Sequence, residues 1–222
     1  MRIDKGIDLY RYSTMRTHSM GAVMYTPESI DELIGLMSEL QGNCYFLGES
    51  NISTLLKNKT IPSGLKDYVS GVMCVSTKNK EESISLGLTT EEKCFVKPNA
   101  VNSELFKKLD KETCRKKLGL PADAFIISFV GSFIERKGAN RVAAAIKSLS
   151  GDPVYSIFAG RGNVEPDCEN ILFKGSLRHE DIPEYLNASD VFVLPTLAEG
   201  CCNAIVEAHV MWSSHYIIQS SI

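Results

Sequence analysis

A chain of 222 residues with a formal net charge of −3 and 23% charged residues lacks the basic excess of a nucleic-acid footprint. No run approaches 18 apolar residues, and the first 20 residues are too polar for a signal peptide, so neither a membrane-spanning helix nor a leader is expected. Cys44, Cys74, Cys94, Cys114, Cys168, Cys201 and Cys202 are scattered without a Cys-x-x-Cys spacing, so neither a zinc site nor a disulfide framework is indicated. His18, His179, His209 and His215 form no ligand constellation, and the composition fits a soluble intracellular protein.

Near the amino terminus, Ser29 as N-cap with Glu32 at the third helical position makes a capping box, and Ile30, Leu33, Ile34 and Met37 give that helix an apolar face. Thr60-Ile-Pro-Ser-Gly64 reads as a turn-like linker. A strand within Tyr68–Ser76, a helix over Lys78–Leu86 and a strand over Cys94–Pro98 follow. The basic cluster Lys107-Lys108, Lys111 and Arg115-Lys-Lys117 reads as a solvated helix face. Ala124–Gly131 is a short apolar run expected as a buried strand, followed by a helix over Ala139–Leu149 with Val142, Ala145, Ile146 and Leu149 on one face. Strands are expected over Val154–Gly160 and Asn170–Gly175, and a helix over about Glu180–Leu186. Ala188–Pro195 is a buried parallel strand by its β-branched and aromatic residues, and Ala204, Ile205 and Ala208 recur at helical spacing after it. The order strand, helix, strand, strand, helix, strand, helix predicts an α/β fold with a doubly wound, mostly parallel sheet.

The chemistry concentrates in Pro195-Thr-Leu-Ala-Glu-Gly-Cys-Cys-Asn-Ala-Ile-Val-Glu-Ala208. A helix starting beyond a parallel strand's carboxyl end turns backbone N–H groups toward the crevice where such sheets bind ligands, and that terminus suits a diphosphate. Glu199 and Glu207 lie eight positions apart, up to ~12 Å if the stretch is helical, and so could flank an anion with hydroxyls on either side, as in a nucleotide sugar. A capped surface helix with solvated glutamates explains this stretch equally well on its own. Upstream, Gly131 permits close backbone approach and Arg136-Lys137 places cationic donors beside the crevice, whereas Gly160-Arg-Gly162 alone is as consistent with a tight turn.

Together these residues resemble the donor-binding domain of the family-4 glycosyltransferases, retaining enzymes built of two Rossmann-like domains (GT-B type). The resemblance runs from about Asp67 to Ala208 and includes Cys74-Val-Ser76, Pro98-Asn-Ala-Val101 with Phe106, Arg115-Lys-Lys-Leu-Gly-Leu-Pro121, Val130-Gly131, Lys137-Gly138, Gly160-Arg-Gly162, Phe173-Lys-Gly175 and the Glu-x7-Glu pair. It implies a nucleotide-sugar donor, a glycan or lipid-linked acceptor, retention of configuration and no metal or other cofactor. By this resemblance Lys137 neutralises the donor diphosphate, Glu199 sits near the donor sugar and Glu207 takes the ribose hydroxyls. Gly131, Ser132, Gly160, Gly175, Gly200, Cys201, Cys202 and Asn203 line the donor, with Gly200–Asn203 supplying N–H groups to phosphate. Many members carry arginine soon after the strand glycine, where this chain has Ser132-Phe133; the role is not transferred to Arg136. The family's work at the inner membrane face implies a cytoplasmic protein with scope for peripheral membrane contact.

The expected organisation is a small α/β segment over 1–64, a remnant of the first GT-B domain with its linker over 65–120, an incomplete donor domain over 121–208, and a tail over 209–222. Tyr12-Ser-Thr14, Arg16, Ala22, Tyr25–Leu33 and Tyr45-Phe-Leu-Gly-Glu-Ser-Asn51 resemble the opening of the FAD-binding domain of UDP-N-acetylenolpyruvylglucosamine reductase. That family's loop has one more glycine than Gly48-Glu-Ser-Asn51, so flavin binding is not expected. In the tail, Met211-Trp212 must be encoded ATG TGG; one base later this reads Cys-Gly, and permitted codons for Ser213–Ile217 continue Leu-Pro-Ile-Ile, as the family does. The expectation is one extra base near codon 209, a tail without evolved function, and a sheet left with an open edge. Three functions follow: a retaining glycosyltransferase, a half-site that holds the nucleotide without turnover, or a non-functional fragment.

Overall fold

The computed structural model describes residues 2–8, 20–26, 32, 35, 71–149, 151, 153–211 and 217–219. Two compact units divide the chain, Met1–Asn99 and Ala100–Ile222. Among the described residues no helix is long and apolar enough to cross a membrane.

In the first unit, β1 (Arg2–Asp8) and β2 (Met20–Thr26) pair antiparallel, with Arg2 opposite Thr26 and Asp8 opposite Met20. Glu32 and Gly35 are helical, and Ser29, the expected N-cap, lies outside the described residues. The stretch Tyr45–Asn51, the linker Thr60–Gly64 and Trp212 lie outside the described residues. β3 (Val72–Cys74), α1 (Thr77–Ser85) and β4 (Cys94–Val96) form a β-α-β unit whose strands are parallel. Ser76 caps α1 by accepting from the Asn79 N–H at 3.2 Å. The cysteines that look scattered in sequence meet here: Cys74 and Cys94 are buried with their sulfurs 3.6 Å apart. Burial first, then the hydrogen bond with Cys74, pushes the Cys94 thiol up to about 11.

The second unit holds the parallel sheet. Its strands are β5 (Phe125–Val130), β6 (Val154–Ala159), β7 (Ile171–Gly175), β8 (Val191–Leu194) and β9 (Ile217–Gln219), in the spatial order β7-β6-β5-β8-β9. Between them lie α2 (Lys111–Leu118), preceding the sheet, and α3 (Ala139–Ser148), α4 (Ile182–Ala188) and α5 (Asn203–Met211). The chain moves outward from β5 through β6 to β7, then returns to place β8 on the other side of β5. That reversal makes the crevice between the carboxyl ends of β5 and β8 the switch point of the sheet.

Both faces of the sheet are covered, and the central strands are accordingly apolar along their length. Ile126, Phe129, Ile157, Phe158, Phe192 and Leu194 are fully buried. Phe129 lies with its ring 6.2 Å from those of both Phe133 and Phe158. Each buried phenylalanine contributes roughly 1.5–3 kcal/mol through removal of apolar surface from water. α3 buries Ala139, Val142, Ala143 and Ile146. The expected face is corrected at two positions: Ala145 is exposed, and Leu149, beyond the helix end, is 58% exposed. A stripe with spacing 3, 1 and 3 leaves 145 on the solvent side.

A second correction concerns the basic cluster. Arg115 is buried, not solvated. Its Nε donates to the Ala188 carbonyl at 2.9 Å, its Nη1 to the Ala122 carbonyl, and its Nη2 to Asp190 at 2.8 Å. Asp190 also accepts from Lys111 at 2.6 Å and from the Ile126 N–H at 2.7 Å, tying α2 to the amino ends of β5 and β8. Burial pushes the Asp190 carboxyl up, but the hydrogen bonds from Lys111 and Ile126 and the charges of Lys111 and Arg115 outweigh it and hold the group below its ordinary value. The tail is the third difference. α5 runs on through His209 to Met211, whose side chain is buried, and Ile217–Gln219 pair in parallel with Phe192–Leu194. The sheet expected to end for want of further strands thus continues past β8.

Candidate donor-nucleotide site

Every element that feeds the crevice arrives from a strand's carboxyl end. The loop after β5 carries Ser132, Arg136 and Lys137 before α3 starts; the loop after β8 carries Thr196, Glu199 and Gly200 before α5 starts. The two loops are stitched together by backbone, the Leu197 N–H donating to the Arg136 carbonyl at 2.9 Å. Arg141, from the first turn of α3, adds a second stitch by donating to the Pro195 carbonyl at 2.8 Å. Gly138, at φ 81, makes the left-handed turn that lets the chain enter α3 directly after Lys137.

Glu199 is the hub. Its Oε1 lies 2.6 Å from Lys137 Nζ and 2.9 Å from Arg136 Nη1, and it accepts from the Thr196 hydroxyl at 2.7 Å. The Glu199 side chain is 12% exposed and that of Lys137 17%, whereas Arg136 is 45% exposed. The inner Lys137–Glu199 pair is therefore the better shielded of the two ion pairs, and Arg136 lies on its solvent side. Lys137 Nζ also stands 3.9 Å from Cys202 Sγ, which places it at the mouth of α5. Burial pushes the Cys202 thiol up against the pull of the Lys137 charge, with Glu199 adding to the rise, so this cysteine is a protonated, buried small group. Cys201 is half-buried and Asn203 is the first residue of α5.

The site glycines have a different task. A side chain on Gly160 would place its Cβ 1.9 Å from the Gly131 carbonyl oxygen, and one on Gly162 would lie 2.1 Å from that of Phe133. The Gly131 N–H donates to the Ala159 carbonyl at 2.9 Å, the Gly160 N–H to the Gly175 carbonyl at 2.8 Å, and the Phe133 N–H to the Arg161 carbonyl at 2.8 Å. Gly160 and Gly162 thus let the chain after β6 close on the loop after β5 at the floor of the crevice. This geometry accounts for them without a ligand.

Glu207 stands apart from the Lys137–Glu199 group. It is only 9% exposed, one turn inside α5, and its Oε1 is 2.8 Å from His179 Nε2. His179 comes from the loop after β7 and its ring lies 5.0 Å from that of the fully buried Phe106, tilted by 56°. Sequence reasoning passed over His179, Thr196 and Arg141; no local spacing marks a partner 28 positions from Glu207. Among the described residues no group of three His, Cys, Asp or Glu side chains could hold a metal ion.

A parallel sheet in this order, with a lysine, a carboxylate and a helix amino terminus at its switch point, is a Rossmann-like arrangement. Residues 124–212 match the family described as Glycosyl transferases group 1. A Bacillus subtilis protein named as a teichuronic acid biosynthesis glycosyltransferase, TuaC, is 34% identical over 100 residues, covering 44% of this chain and 25% of that one. The Escherichia coli UDP-Gal:alpha-D-GlcNAc-diphosphoundecaprenol alpha-1,3-galactosyltransferase is 33% identical over 153 residues, 62% of this chain and 39% of that one. The chain therefore spans between a quarter and two fifths of the length of these two relatives. Among solved structures, Anabaena Alr3699/HepE in complex with UDP-glucose superposes with a TM-score of 0.58 at 20% identity, covering 75% of this chain and 48% of that one, which shows a shared fold.

Proposed function

We propose that the second unit holds the nucleoside diphosphate of a nucleotide sugar and serves transfer of the sugar, with retention of configuration, to a glycan or lipid-linked acceptor. The observation that carries this reading is the Lys137–Glu199 pair at 2.6 Å, set at the switch point against the start of α5. An ion pair poised there is exchangeable. An incoming diphosphate takes the Lys137 ammonium, with the N–H groups of Gly200–Asn203 as further donors, and Glu199 is released toward the sugar. Positive charge preorganised on the leaving diphosphate is what a glycosyl transfer needs in its transition state. Glu207, deeper along α5, takes the ribose hydroxyls. The floor formed by Gly131, Ser132, Gly160 and Gly175 closes the crevice beneath the ligand.

On this reading the reaction calls for no metal or organic cofactor, because Lys137 and the helix terminus supply the charge. The named relative that acts on a diphosphoundecaprenol-linked sugar supports a lipid-linked acceptor. A cytoplasmic setting with peripheral contact at the inner membrane face is part of the same proposal.

Calorimetric titration of the chain with UDP and UDP-glucose tests the proposal. Saturable binding is expected, weakened about 10–100-fold by Lys137→Ala, the scale of a lost charge-assisted hydrogen bond. EDTA should leave it unchanged. Binding indifferent to Lys137→Ala would remove the basis of the reading. Transfer to a glycan or lipid-linked acceptor separates turnover from simple holding of the donor.

A further inference from the structure

Glu207 is a carboxylate almost withdrawn from water, and such a group requires a partner. Its partner is His179, contributed by a different loop and itself packed on Phe106. Three distant segments are therefore assembled around one carboxylate oxygen. A helix surface glutamate left to solvent would need none of this.

We propose that His179 is the positioning residue for nucleotide recognition: it donates its Nε2–H to Glu207 Oε1, fixes the carboxylate's rotation, and presents Oε2 to the ribose hydroxyl pair. The inference rests on the assignment of Glu207 to the ribose. A carboxylate with one oxygen anchored has lost its rotational freedom before the ligand arrives, so the two ribose hydrogen bonds form without that ordering cost. The imidazole is in turn held against Phe106, which is fully buried. The proton sits on Nε2 whether the ring is neutral or charged, because the partner is an acceptor.

Ribose discrimination is the readout, since loss of fold would weaken every ligand alike. Affinities for UDP, 2′,3′-dideoxy-UDP and inorganic pyrophosphate are measured by calorimetry on the full chain. The wild type should prefer UDP over the dideoxy compound by about tenfold or more. His179→Phe, which keeps a ring against Phe106 but no donor, should lose most of that preference while pyrophosphate binding stays within about twofold of wild type. His179→Gln, which keeps an N–H donor, should recover much of it. If Glu207→Ala abolishes the preference and His179→Phe retains it, this inference alone fails. If the wild type shows no preference, the ribose role of Glu207 fails and this inference with it. Nitrogen-15 NMR of the unmodified chain gives a second reading that needs no variant. A proton resident on His179 Nε2, slowed in solvent exchange by UDP, supports the proposal; a bare Nε2 overturns it.

Discussion

Replacing Asp190 by alanine would test the packing that holds the site from the far end of the sheet. The carboxylate accepts from Arg115 at 2.8 Å, Lys111 at 2.6 Å and the Ile126 N–H at 2.7 Å. Ile126 is fully buried, so its N–H would lose an acceptor at a cost of about 1–3 kcal/mol. Breaking a buried ion pair costs about 3–5 kcal/mol when the surviving charge has nothing else to bind. Arg115 keeps the carbonyls of Ala188 and Ala122, so the low end applies. The Lys111 arm, 37% exposed, adds about 0–1 kcal/mol. These contributions overlap, and about 3–4 kcal/mol of destabilisation is expected for Asp190→Ala in urea unfolding followed by far-ultraviolet circular dichroism. Nucleotide affinity of the folded protein should be unchanged, because Asp190 sits before β8 and the ligand groups follow it. A loss under about 0.5 kcal/mol, the range of an ordinary surface substitution, would refute the clamp.

Asp190→Asn should also flatten the acid limb of stability. The native group is held below its ordinary 3.8, so its contribution is complete above that value and lost as pH falls through the lowered one; urea midpoints taken from pH 6 down to pH 2.5 check this. Gly160→Ala should cost about 3 kcal/mol, since its Cβ would meet the Gly131 carbonyl at 1.9 Å and the backbones must part; thermal unfolding measures it. Glu199→Gln should leave UDP affinity equal or higher, by releasing Lys137, while lowering the affinity for UDP-glucose; paired calorimetric titrations read both signs. Arg136→Ala should shift either affinity less than about threefold, its side chain being 45% exposed.

The central sheet was legible because fully buried parallel strands need apolar residues on both faces. Phe125–Val130, Val154–Ala159 and Val191–Leu194 stand out as short runs bounded by glycine or proline. The pairing order was less so: β8 beside β5 depends on a return of the chain that no local pattern encodes. Arg115 was misread because Arg115-Lys-Lys117 looks like a solvated run, yet arginine's planar fork spreads its donors over three nitrogens and so reaches two carbonyls and a carboxylate at separate positions. The misplaced face of α3 came from phasing. With Gly138 as its cap the buried positions are 139, 142, 143 and 146, and Leu149 falls past the last turn.

At the site, the loop residues could be named in advance but not their pairings. Lys137 and Glu199 are 62 positions apart and meet because β5 and β8 are neighbours. His179 carries no signal in sequence, since its role exists only once the loop after β7 reaches α5. Gly131 was read as permitting close backbone approach and Gly160-Arg-Gly162 as consistent with a tight turn; in the structure Gly160 and Gly162 lie against the backbone of Gly131 and Phe133.

The central claim is that a nucleoside diphosphate docks at the start of α5, beside Lys137. The most direct measurement is a titration of the nitrogen-15-labelled chain with UDP, followed by two-dimensional NMR. Saturable shifts of the Gly200, Cys201, Cys202 and Asn203 amides and of the Lys137 side chain, absent with uridine, are expected. Saturable binding that leaves those resonances in place and moves others would contradict the claim.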